Sequence, residues 1–160
     1  MAKRLLFGNS RWGMFTRIIV LFVILTAPFF YHYGITFLIG DSMYPTYKST
    51  EAVIVEKNHG DYIPRRHDVV EIIVDGERWI KRVMGVPGDH ITFGSTRLWI
   101  NNKQSKRFEW IHPDVRRPNT THIEADIIVP PNHIWVIGDN RENSAHRLVH
   151  IRDIVGKVMY

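Results

Sequence analysis

Fourteen consecutive residues, Ile18–Tyr31 (IIVLFVILTAPFFY), contain no side chain expected to carry charge. No other feature restricts the fold of this chain as strongly. A run without a polar face does not suit a helix half-buried on a globular core, which shows amphipathic periodicity. A membrane span needs about 20 residues. The run approaches that length when Phe15 and Thr16 are added and Arg17 extends its guanidinium towards lipid headgroups. Trp12 on one side and Tyr31, His32 and Tyr33 on the other read as interfacial belts. Pro28 predicts a late kink, which a membrane helix tolerates. A cleaved leader is the competing reading. Its only small-residue site, Thr26-Ala27, is followed directly by Pro28, a poor place to cut, so the expectation is an uncleaved anchor.

Charge supports this. The net charge is +5, but residues 1–17 hold Lys3, Arg4, Arg11, Arg17 and no acid. The remaining 17 basic and 16 acidic residues leave residues 18–160 at +1. The excess therefore marks topology and gives no reason to expect a nucleic-acid partner. By the positive-inside rule the N-terminus stays cytoplasmic in a plasma (inner) membrane. The expected division is a basic tail and transmembrane anchor at 1–33 and an extracytoplasmic catalytic domain at 34–160. With no cysteine in the chain, disulfides and thiolate metal sites are excluded.

After Gly34 the pattern becomes short and β-rich. Ala52–Glu56, Asp68–Val74, Arg78–Val83, His90–Phe93, Leu98–Ile100, Ile127–Val129, Ile134–Ile137 and Ile154–Val158 read as strands. Asn58-His59-Gly60, Asp75-Gly76, Pro87-Gly88-Asp89, Asn101-Asn102 and Pro130-Pro131-Asn132 read as turns. The class is mainly β, a β-barrel or packed antiparallel sheets, with one N-terminal helix. The polar stretch Ser105–Glu124 reads as a surface loop or extended hairpin.

Three segments could carry chemistry. Gly40-Asp41-Ser42-Met43-Tyr44-Pro45-Thr46 places a serine in a turn rigidified by proline. A serine hydroxyl is a weak nucleophile until a neighbouring base takes its proton, and alone this one fits a structural turn equally. In Trp79-Ile80-Lys81-Arg82-Val83, strand alternation puts Lys81 on the face of Trp79 and Val83. Desolvation there would lower the lysine pKa towards that of a general base. A basic pair on a solvated edge fits the same residues. Gly138-Asp139-Asn140-Arg141-Glu142-Asn143-Ser144 follows an apolar strand and is dense in hydrogen-bonding groups. It could orient an amine or simply form a well-bonded turn.

Taken together and in this order, the segments resemble the type I signal peptidase (leader peptidase) family of Ser-Lys serine peptidases. The resemblance covers Gly40 to Ser144, with Ile154-Val155-Gly156-Lys157 similar as well. It implies Ser42 as nucleophile and Lys81 as general base, which agrees with the inability of arginine to give up its proton. It implies that Ser144 holds the lysine amine, with Gly138 and Asp139 beside it, and that the Ser42 N–H is an oxyanion donor. Some relatives supply a second donor at the position of Gly40. The implied substrate is the signal peptide of an exported preprotein with small residues first and third before the cut. It would lie extended along Ile35, Phe37 and Leu38 and along Trp79 and Ile80. Membrane lipid is the other implied partner; no metal or cofactor is implied. The chain departs from the family where an acid is usual and His146 stands, with Arg147 one place early.

Other readings weigh less. No histidine lies in a triad motif, and His146 and His150 lack a zinc-site glutamate. A self-cleaving repressor would need a DNA-binding domain where the apolar segment stands. A conjugation-type peptidase that processes a pilin shares the dyad and the anchor. An inactive peptide-binding homologue is the non-enzymatic alternative, suggested by His146.

Overall fold

The computed structural model describes residues 11–94, 97–104, 123–140 and 143–159. Most of the stretch read as a surface loop, residues 105–122, lies outside them.

Two units are distinct, residues up to Gly34 and residues from Ile35. The first contains helix α1, Arg11–His32, which runs through Pro28. The span Trp12–His32 has mean hydropathy 2.0, and 6% of it is buried. Apolar side chains such as Leu21, Phe22, Ile24 and Leu25 are exposed around its circumference. Thr26 satisfies its hydroxyl inside the helix, donating to the Phe22 carbonyl at 2.8 Å. Such a surface is the opposite of a core helix. The helix exceeds the 14-residue run at both ends, starting at Arg11 and ending at His32.

The second unit is antiparallel β-sheet. Strands β1 (Tyr33–Phe37), β2 (Ala52–Lys57), β3 (Val69–Val74), β4 (Glu77–Gly85), β5 (His90–Gly94), β6 (Arg97–Ile100), β7 (Lys103–Gln104), β8 (Ile123–Ile128), β9 (His133–Ile137), β10 (His146–His150) and β11 (Ile154–Val158) follow in order. Tyr33 and Gly34 at the start of β1 belong to the first unit. One sheet has seven strands in the order β1-β2-β11-β3-β4-β9-β10, and the other has four in the order β7-β6-β5-β8. Among the described residues neither closes, so of the two arrangements expected, a barrel or packed antiparallel sheets, the packed sheets are the one found. A barrel requires the two edge strands to bond to each other. Here β1 ends one edge and β10 the other.

The hairpin β3–β4 turns at Asp75 (φ 53°) and Gly76 (φ 84°), and β6–β7 turns at Asn101 (φ 51°) and Asn102 (φ 62°). Both are tight loops whose positive φ favours Asx and Gly. Two strands were not expected as such. β7 is two residues long, too short to register as a pattern. β10 is masked in the sequence by two histidines and an arginine, though Val149 is buried. β1 was expected as the strand before Ser42, over Ile35–Ile39, and is found two residues earlier at each end. β8 begins four residues before the expected Ile127, because its first half is polar.

The apolar core lies on both faces of β3, β4 and β9. Leu38, Met43, Tyr47, Val69 and Ile80 pack on one face; Val70, Ile72, Val83 and Val136 pack on the other.

Candidate active site

Ser42 sits in the turn between β1 and β2 and is half-buried. The next residue, Met43, is 1% exposed and plugged into the core beside Leu38 and Ile80. This anchors the turn and fixes where the serine emerges. Gly40, at φ 88°, takes a conformation that L side chains rarely adopt. Its N–H donates to Ser49 Oγ at 3.1 Å. That engagement makes Gly40 a residue that shapes the turn.

The turn is tied to the loop after β9. Asn140 N–H donates to the Ser42 carbonyl at 3.0 Å, and Asn140 Nδ2 donates to the Asp41 carbonyl at 3.1 Å. Gly138 lies at this junction. A Cβ there would fall well inside van der Waals contact of both the Ser42 carbonyl oxygen and Ser144 Oγ. Only glycine lets these two segments come this close.

Lys81 leaves the middle of β4 and is 6% exposed. Its amine donates to Ser144 Oγ at 3.2 Å. The same oxygen accepts the Gly138 N–H at 2.7 Å, and the Ser144 hydroxyl donates to the Ala145 carbonyl at 3.2 Å. Ser144 is therefore held on three sides and presents a fixed acceptor to the amine. Burial pushes the Lys81 amine down from 10.5 to about 8, opposed in part by the charge of Asp139. An amine in that range is a usable base near neutral pH. Trp79, with its ring centroid 5.6 Å from the amine, forms one wall.

The other cation of the pair behaves differently. Arg82 is 1% exposed and Asp139 fully buried. Arg82 Nε donates to Asp139 Oδ1 at 2.7 Å and Nη2 to Oδ2 at 2.6 Å, a two-pronged pair. Arg82 Nη1 donates to the His67 carbonyl at 2.8 Å, and Thr46 Oγ1 donates to Asp139 Oδ2 at 2.6 Å. Asp139 thus braces the serine turn, through Thr46, against β4. The sequence reading placed Asp139 beside the site but missed this role for Arg82 and Thr46. The available signal was alternation: Arg82 shares the face of Ile80, and a buried guanidinium requires an acid.

The departures at 146 and 147 also have a structural account. The His146 ring packs against Phe93 and Trp135, with centroids 5.2 and 5.5 Å away. Arg147 Nη2 lies 3.6 Å from Asp75 Oδ2, and its guanidinium carbon 5.9 Å from the Trp79 ring.

Ser42 and Lys81 open on one groove of about 730 Å³. One wall is Thr36, Phe37, Leu38 and Ile39; the other runs from Glu77 to Lys81, with Ala145 at the end. Of the expected substrate-contact residues, Phe37, Leu38, Trp79 and Ile80 line it. Ile35 does not, and is 62% exposed. The wall begins one residue later, at Thr36. Among the described residues no group of three or more His, Cys, Asp or Glu gathers to hold a metal.

Residues 9–160 match the family described as signal peptidase, peptidase S26. The chain belongs to this family. It is 34% identical over 114 residues to signal peptidase I S of Bacillus subtilis, covering 66% of this chain and 60% of that protein. It is 34% identical over 134 residues to signal peptidase I of Bacillus caldolyticus, covering 74% and 73%. Signal peptidase IB of Staphylococcus aureus is 28% identical over 142 residues, covering 76% of this chain and 73% of that one. The chain thus spans less than two thirds of the first of these signal peptidases and nearly three quarters of the other two. A crystal structure of a signal peptidase I from Enterococcus faecalis has a TM-score of 0.49 at 22% identity, covering 61% of this chain and 98% of that one.

Proposed function

We propose that this chain is a signal peptidase I, a hydrolase that removes N-terminal signal peptides from exported preproteins, with Ser42 as nucleophile and Lys81 as general base. The observation that carries the reading is the buried Lys81 amine, lowered to about 8 and aimed by Ser144 into the groove that Ser42 lines. Neutral Lys81 takes the Ser42 proton as Oγ attacks the scissile carbonyl. The developing oxyanion meets the Ser42 N–H. The protonated amine then gives its proton to the leaving amine, and an acyl-enzyme remains. Lys81, neutral again, takes a proton from water, which attacks the ester, and passes that proton to Ser42 Oγ as the ester bond breaks and the signal peptide is released.

Substrate geometry supports the same reading. The two groove walls are short strand segments, so an extended peptide can add between them through its main chain. Helix α1 would anchor the chain in the plasma (inner) membrane, with the basic tail on the cytoplasmic side and residues from 34 onward across it. Ser42 follows His32 by ten residues, which would hold the cut at the membrane surface, where a signal helix ends. The packing of His146 in the aromatic core leaves the Lys81–Ser144 bond intact, which argues against an inactive module.

The test is cleavage of a preprotein bearing an Ala-x-Ala site by the full chain in lipid vesicles. Wild type should release one product whose N-terminus follows the second alanine. Ser42→Ala and Lys81→Met should release none. Cutting by either variant contradicts the dyad, and cutting only of a dedicated pilin precursor would favour the conjugation-type reading.

A further inference from the structure

Beneath the wall of the groove lies an acid that the mechanism does not use. Glu71, in β3, is 1% exposed amid Val69, Val70 and Ile72. Its Oε1 accepts the Thr36 hydroxyl at 2.9 Å and lies 3.2 Å from Arg78 Nη1. Thr36 and Arg78 are both groove-lining residues, one on each wall. The Arg78 side chain is 60% exposed, while that of Glu71 is 2% exposed. A guanidinium has five N–H donors, and one carboxylate takes at most two of them. Glu71 therefore pins the arginine against the wall and leaves donors turned to the groove.

The position along the groove follows from strand geometry. β1 and β4 both run towards the reacting end, where Ser42 and Lys81 stand. Arg78 and Ile80 share a face of β4 and are about 7 Å apart along it, the repeat between alternate side chains of an extended peptide. The residue just before the cut faces the Ser42 end, so the next side chain on that face belongs to the third residue before the cut. It arrives at the level of Arg78, Thr36 and Glu71.

Resting on the function proposed above, we infer that the Glu71–Arg78–Thr36 cluster makes the position that receives the third residue before the cut selective for a hydrogen-bond acceptor, a threonine or serine hydroxyl, over an apolar side chain of equal size. A hydroxyl accepts from Arg78 in place of the water it displaces. An isosteric valine covers the guanidinium and returns nothing.

The pair that isolates this is Thr-x-Ala against Val-x-Ala in one preprotein, since threonine and valine differ by a hydroxyl for a methyl. Wild type should cut the threonine substrate with kcat/KM about tenfold higher, the value of one hydrogen bond. In Arg78→Met, whose exposed head is not part of the core, and in Glu71→Val, the ratio should fall to one or below. Equal cutting of the two substrates by wild type, or an unchanged ratio in Arg78→Met, overturns the inference. An Ala-x-Ala preprotein is run alongside. If the chain leaves it uncut, the function reading fails by itself. Fluorescence anisotropy of labelled Thr-x-Ala and Val-x-Ala peptides then decides the selectivity by the same ratio in Kd.

Discussion

Removing the buried Lys81 amine should make the protein more stable, and by an amount that depends on pH. A fall of the Lys81 pKa from 10.5 to about 8 corresponds to about 3 kcal/mol. The sign follows from proton counting. Between pH 8 and 10.5 the unfolded lysine still holds its proton and the folded one has released it, so wild-type stability rises with pH through that window. Below pH 8 both states are protonated and the full penalty of the buried charge applies. Lys81→Met fills the same space with an apolar chain and titrates nowhere. It gives up the amine's hydrogen bond to Ser144, worth about 1 kcal/mol. The variant should therefore exceed wild type by about 2 kcal/mol at pH 7, and the advantage should disappear by pH 10. The assay is urea denaturation of the full chain in detergent micelles from pH 6 to 10, read as the difference between variant and wild type. Other titrating groups cancel in that difference. A flat difference curve would refute a desolvated Lys81.

Three further outcomes follow from the same geometry. Gly138→Ala should reduce kcat by at least about 100-fold, with substrate binding little changed, because the new methyl pushes the serine turn away from Ser144; single-turnover and binding measurements separate the two. Asp139→Leu leaves the Arg82 guanidinium buried without its acid and should lower stability by about 3–5 kcal/mol, read from the urea midpoint. Leu21→Arg with Val23→Arg puts two charges mid-helix in α1, at about 3 kcal/mol each in a bilayer; full-length protein should then be extracted from membranes by alkaline carbonate, while wild type remains.

How far the sequence reveals this molecule depends on whether a residue's role is local. The helix was readable because a continuous apolar run has one physical meaning, and the hairpin turns because Asp75-Gly76 and Asn101-Asn102 favour positive φ. The burial of Lys81 was readable from alternation next to Trp79 and Val83. What the sequence hid is long-range. The Arg82–Asp139 pair joins residues 57 apart, and Thr46 reaches Asp139 across 93; neither spacing carries a periodic signal. Glu71 did carry one. An acid inside Val-Val-Glu-Ile-Ile-Val must find a partner when the strand is buried on both faces. His146 misleads in the opposite direction. Beside a family pattern it looks like a lost charge, yet its ring fills space between Phe93 and Trp135. Strand counting left barrel and packed sheets open, because it says nothing about whether the edge strands meet.

The most direct test of the central claim is the pH dependence of single-turnover preprotein cleavage by the full chain. Reaction through neutral Lys81 predicts a rate that climbs tenfold per pH unit below pH 7 and levels above an apparent pKa near 8, with no cleavage at any pH in Lys81→Met. A limb in the histidine range near 6.5 that survives in Lys81→Met would contradict it.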